Sequence, residues 1–281
     1  MFASYEAALV LVVRRSTCQP VHVMSDLVLR PRSATELIDA AFQVYRQSPG
    51  PFMVAMALIY VPWLAIRLIF QLNVPDTPDQ ITANLMRVLL ATGAASIVIY
   101  GLAGGAVAVL ARAVYLGEPV DVAAAFRQTL GRMLPLIVGP LVTFVLIAIG
   151  FVFFIVPGLY FVARFFAVRQ AIVLEDKGAF ASLGRSGVLS KNNKLHILGA
   201  LLLVIILTTV VNVGAVMLIN LQPSKVITNV LATALTIVVY PIIPITETLL
   251  YYDARIRNEG FDVEYLASAV TDTSPTAGPV A

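Results

Sequence analysis

Two arginines, Arg164 and Arg169, stand in an apolar run that opens at Pro157-Gly158 and is otherwise filled with Leu, Val, Ala, Phe and Tyr. A guanidinium in such surroundings is costly unless it meets an acid, an anion or water. The acid that suits is Glu247, which lies in a second apolar run near the C-terminal end. Two chemistries follow. Arg164 and Arg169 together make an anionic-ligand site, for example for a lipid phosphate. Alternatively, they form ion pairs or carbonyl bonds that clamp the two runs together. The clamp is the preferred reading, because buried ion pairs often fix an arrangement rather than bind a ligand. Counted from the basic ends of their runs, Glu247 and Arg169 share a depth, and Arg164 lies just over one turn deeper. Four further candidates stand at the rims. Glu175 closes the arginine-bearing run, Arg185 follows it, and Asp253 and Arg255 follow Tyr251-Tyr252. Asp253 is free to bond Arg185 or a backbone end.

Other chemistries lack their residues. Cys18 is the single cysteine, so there is neither a disulfide framework nor a cysteine metal cluster. His22 and His196 are the two histidines, too few for a credible Ser-His-Asp set, and neither metal-ligand spacing nor a glycine-rich phosphate loop after a strand occurs. No cofactor is expected. The basic residues are spread along one face of a membrane protein, which argues against nucleic acid.

The elements that must position these residues are helices in a bilayer. Of 281 residues 59% are hydrophobic and 12% charged, about half the charged fraction of a soluble domain, and the mean hydropathy is +0.89. Spanning takes ~20 apolar residues, and six runs qualify: about 52–70, 88–110, 134–155, 159–174, 195–218 and from 226 to near Tyr251-Tyr252. Proline is expected to kink the first run at Pro62 and the last at Pro241 and Pro244, and Pro157-Gly158 to make a tight turn. Three short amphipathic helices precede alternate spans. The first opens on a capping box, Ser33-Ala34-Thr35-Glu36. Asp121 caps the second. The third covers about 179–189, with Phe180, Leu183, Gly187 and Val188 as its apolar side. All three suit the membrane surface. Gly101 and Gly105 permit a close helix approach, expected within the monomer.

The fold expected is therefore all-α: a polytopic bundle of six transmembrane helices with three amphipathic helices on the cytoplasmic face. Ala41-Phe42, Ala125-Phe126 and Ala179-Phe180 recur in the three short helices, which suggests a threefold repeat of surface helix, span, span. Of the 19 Lys and Arg, all but Arg67, Arg87, Arg164 and Lys225 collect on one side. The positive-inside rule makes that side, with both termini, cytoplasmic. Residues 1–28 read as a disordered leader or an upstream start, with Met24 an alternative to Met1. Residues 29–264 form the membrane domain, and 265–281 a disordered tail.

Three stretches carry a family resemblance: Leu29 to Arg46; Pro157-Gly158-Leu159-Tyr160 with Arg164, Glu175 and Arg185-Ser186; and Leu249 to Asp262. They resemble the bacterial glycerophosphoryl diester phosphodiesterase membrane domain, a relative of the YciC-type membrane proteins. In some relatives this region is joined to a phosphodiesterase barrel with histidines and metal-binding carboxylates, which this chain does not supply. The resemblance thus implies a membrane module, not an enzyme, in the bacterial inner membrane. The leading expectation is a non-catalytic module that binds or organises lipid, or a partner protein, through anionic headgroups at the cytoplasmic face. A transporter or permease-like carrier of a small or anionic solute is the alternative, and an intramembrane lipid enzyme the third.

Overall fold

Ser33 and Glu36 start the first helix reciprocally. The Ser33 side chain accepts from the Glu36 N–H at 3.3 Å, and the Glu36 carboxylate accepts from the Ser33 N–H at 2.8 Å. In the computed structural model, which describes residues 30–73, 78–219 and 224–261, the chain then continues as helix throughout, with no strand among the described residues. The expected leader and tail, residue 29, residues 262–264, and the loop residues 74–77 and 220–223 lie outside the described residues.

The helices in order are α1 (Ala34–Gln47), α2 (Pro49–Asn73), α3 (Pro78–Leu116), α4 (Val122–Gly131), α5 (Met133–Phe153), α6 (Ile155–Arg164), α7 (Val168–Leu174), α8 (Ala179–Leu189), α9 (Lys194–Ile219), α10 (Lys225–Val239) and α11 (Ile242–Glu259). Six segments are long and apolar enough to cross a membrane: Pro49–Ile69, Ile97–Leu116, Met133–Phe153, Ile155–Leu174, Lys194–Met217 and Val226–Glu259. The protein is a multi-pass, all-α membrane bundle. Its order of short helix, span, span occurs three times, opening at α1, α4 and α8.

Two of the six segments are broken. The fourth stops at Arg164 and resumes at Val168, and the sixth stops at Val239 and resumes at Ile242. The second break falls at Tyr240-Pro241, where proline removes a backbone donor. Pro244 does not break the chain again, because it sits in the first turn of α11, where backbone N–H groups lack intrahelical acceptors anyway. The same logic corrects the turn expected at Pro157-Gly158. The reversal is made by one extended residue, Phe154 (φ −171°, ψ 164°), and Pro157 lies in the first turn of α6. Gly158 serves packing instead: a Cβ there would meet the Phe151 ring at 2.5 Å, and one on Gly150 would meet the Gly158 Cα at 2.9 Å. The two glycines let α5 and α6 lie nearly in contact. Gly101 likewise brings α3 onto α5, where a Cβ would sit 2.7 Å from the Leu136 carbonyl oxygen.

The short helices are not equivalent. The apolar face of α1, with Leu37, Ala40, Ala41 and Val44, is buried inside the bundle against α9 and α11 rather than laid on lipid. On α8 the expected apolar side is split: Leu183 packs against the core and Gly187 against Arg164, while the other two residues face outward. Phe180 is 73% and Val188 56% exposed, whereas Ser182, Ser186 and Leu189 are buried. The hydroxyls make this possible: Ser186 donates to the Arg164 carbonyl at 2.8 Å and accepts from the Ala167 N–H at 3.1 Å. Two backbone groups at the break between α6 and α7 are thereby satisfied. The tight core gathers α1, the start of α2, the C-terminal half of α3, and α11. Exposed Leu58, Val61 and Ile66 on α2 and Val210 and Val211 on α9 are the surface that suits lipid.

Candidate functional site

α7 and α11 follow the two breaks, and each brings a charged residue inward. Arg169 on α7 donates from Nη2 to a Glu247 carboxylate oxygen on α11, with both residues buried. Three residues from two helices build the rest of this cluster. Gln170 donates from Nε2 to the same Glu247 oxygen at 3.3 Å. Tyr100 on α3 approaches the other carboxylate oxygen at 3.5 Å, and its ring lies 4.4 Å from the Arg169 guanidinium carbon, a cation–π distance. The Tyr100 carbonyl accepts from Arg169 Nη1 at 3.3 Å. Gly104 makes that contact feasible, because any Cβ there would collide with the guanidinium. Two polar atoms in the cluster stay unpartnered: Arg169 Nε and Gln170 Oε1.

A second cluster surrounds Asp253 on α11. One carboxylate oxygen accepts from the Arg32 backbone N–H at 2.7 Å. The other meets Arg257 Nε at 2.7 Å and His196 Nε2 at 3.1 Å. Arg257 also donates to the Arg32 carbonyl at 2.7 Å. Asp253 thus bonds a backbone end, one of its two expected partners. It does not bond Arg185, whose side chain is taken elsewhere.

That side chain is the hub of a third cluster. Arg185 on α8 donates from Nε to both oxygens of Glu175 at 2.8 Å, and from Nη2 to Glu259 at 2.8 Å. The hydrogen bonds to Glu259 raise the Arg185 pKa above the usual guanidinium range. Tyr251 donates to Glu175 at 2.7 Å, and Arg255 bonds Glu259 at 3.2 Å while covering the Phe261 ring at 4.1 Å. The cluster joins α8, α11 and the end of α7.

Arg164 stays apart from Arg169. Its guanidinium lies beside Gly187, 3.2 Å from where a Cβ would be, and donates to the Tyr160 hydroxyl at 3.4 Å. The break at Phe165–Ala167 rotates the two arginines onto different faces, so they do not form one site. Of the expected residues, the structure pairs Arg169 with Glu247, joins Glu175 to Arg185, and sets Arg255 beside that group. Sequence reasoning passed over Gln170, Tyr100, His196 and Arg32. Gln170 carried a signal, being a second polar residue beside Arg169 within a span. His196 was legible only as a polar residue opening one.

Among the described residues no group of three or more His, Cys, Asp or Glu could hold a metal ion. Arg169 and Gln170 could meet a polar ligand through their unpartnered atoms, and the exposed basic rim could meet an anion. A family model described as "Domain of unknown function (DUF7847)" matches residues 27–249. No curated protein and no solved structure matches the chain.

Proposed function

The chain belongs to the DUF7847 family, and for it we propose the role of a non-catalytic membrane module whose basic end binds and organises anionic lipid. The observation that carries this reading is how the charges divide. Glu247, Asp253, Glu175 and Glu259 each hold an arginine within the bundle. Arg46, Arg127 and Lys191 are exposed beside the same ends of the spans, with no carboxylate at ion-pair distance among the described residues. These exposed cations, together with the exposed apolar residues Phe180, Val188 and Leu195, suit a layer of anionic headgroups above acyl chains. In this reading the positive-inside rule turns this end, with both termini, to the cytoplasm, and a bacterial inner membrane is what the family resemblance implies. The resemblance to glycerophosphoryl diester phosphodiesterase membrane domains supports the same reading, as a membrane region acting without a catalytic barrel.

Purification in mild detergent followed by analysis of retained lipid tests it. Enrichment of phosphatidylglycerol over phosphatidylethanolamine, relative to the membrane of origin, is expected. Equal loss of both lipids, with a stoichiometric protein partner retained instead, would replace lipid by protein as the bound species.

One observation favours a second reading, a carrier of a small anionic solute. Both broken spans have their breaks next to the Arg169–Glu247 cluster, where two polar atoms lack partners. Discontinuous helices around a charged midpoint are a feature of transporters. Solute uptake into proteoliposomes that is abolished by Gln170→Leu in a folded protein would move the assignment to this reading.

A further inference from the structure

We propose that Arg164, Lys194 and Tyr160 form a discrete site for the phosphate of one anionic phospholipid, at the outer edge of the contact between α6 and α9. This deepens the lipid-binding reading and rests on it. Three observations meet here. Two cations converge on one aromatic residue: Arg164 Nη1 lies 3.4 Å from the Tyr160 hydroxyl, and Lys194 Nζ lies 5.2 Å from the centre of the Tyr160 ring. Neither has an ion-pair partner among the described residues, whereas Arg169, Arg185 and Arg257 each hold a carboxylate. Finally, the surface around them is apolar and open: Leu195 is 86%, Val188 56% and Tyr160 42% exposed.

The chemistry selects the ligand. A phosphate diester offers two charged oxygens, one for the guanidinium in a paired hydrogen bond and one for the ammonium. The Tyr160 hydroxyl, already accepting from Arg164, has its own hydrogen to donate to the same oxygens. Gly187 leaves the guanidinium room to lie across α8, since a side chain at that position would press on it. Leu195 and Val188 then flank the first methylenes of an acyl chain. A cation pair on a lipid-facing surface is poorly matched by water or by a soluble anion alone, because the adjoining apolar wall contributes only when a chain lies on it.

The full chain in detergent, titrated with phosphatidylglycerol and with phosphatidylcholine and observed by native mass spectrometry, tests the site. Wild type is expected to bind phosphatidylglycerol preferentially. The double variant Arg164→Gln/Lys194→Gln is expected to lose affinity roughly tenfold or more, given the attraction of each basic side chain to anionic lipid. Arg112→Gln, which removes a guanidinium already held by Glu118 at 3.0 Å, is expected to bind within about twofold of wild type, an effect below that of one charge contact. Arg164→Lys, which keeps the charge, serves if the double variant does not fold. It should weaken binding less than Arg164→Gln does. Unchanged phosphatidylglycerol binding by a folded double variant would overturn the site while leaving the lipid-binding reading standing. Equal binding of the two lipids by wild type would overturn both. Displacement of phosphatidylglycerol by millimolar inorganic phosphate would overturn the lipid assignment in favour of a free-phosphate site.

Discussion

Glu247 and Asp253 are buried carboxylates on the same helix, α11, yet their surroundings differ in kind. Asp253 is saturated: a backbone N–H, an arginine and a histidine share its two oxygens, and they tie α1 and α9 to α11. Glu247 also has an arginine, but its cluster keeps Arg169 Nε and Gln170 Oε1 without partners. Asp253 pins a chain end, whereas Glu247 holds two broken spans against each other where their helices restart. A buried polar network that is fully satisfied rigidifies, and one that is partly satisfied retains alternatives. The difference assigns Asp253 to assembly of the basic end and Glu247 to the join between the broken spans.

Breaking the Glu247 side is expected to have the largest effect. Glu247→Ala leaves the Arg169 guanidinium buried without its acid, which costs about 3–5 kcal/mol. Loss of the folded form, followed by denaturant unfolding of the purified protein, is the measurement. Asp253→Ala should cost less, about 2–3 kcal/mol, because Arg257 and His196 are near enough to the surface to find water, while the Arg32 N–H loses its acceptor. An Asp253 effect exceeding that of Glu247 would reverse the comparison. Gly104→Ala sharpens it further: the methyl displaces the guanidinium from the Tyr100 carbonyl, for about 1–3 kcal/mol, and should leave the Asp253 cluster untouched. The smallest effect is a pH dependence at the start of α1. Hydrogen bonds from Ser33, with Arg30 beside them, hold the Glu36 carboxyl down from 4.5 to about 2. Its contribution to stability is therefore fully present above pH 4.5 and lost as the pH falls through about 2. A Ser33→Ala variant should show less of that loss.

The sequence made the bundle readable wherever composition alone decides. Six long apolar runs, the Ser33–Glu36 capping box and the Asp121 cap are local patterns, and the structure contains each of them. The Arg169–Glu247 pair was also legible, since helical rise turns a count of residues into a depth. What was hidden depends on rotation and on neighbours. Arg164 and Arg169 looked like one site because the break at Phe165–Ala167, which turns them apart, has no proline or glycine to announce it. The outward face of α8 was hidden for a related reason. Phe180 is exposed, and the small hydroxyls of Ser182 and Ser186 fit the tight contact instead. The partners of Asp253 lie at Arg32 and His196, far along the chain, and no local spacing marks them.

A double-mutant cycle on Arg169→Met and Glu247→Leu tests most directly whether this buried pair locks the broken spans while lipid is bound elsewhere. Each single variant is expected to lose about 3–5 kcal/mol, and the double variant to recover most of it, because an apolar pair of similar volume replaces a desolvated ion pair. The double variant should also keep wild-type preference for phosphatidylglycerol. Additive losses in the cycle, or a stable double variant that no longer retains the lipid, would contradict the assignment.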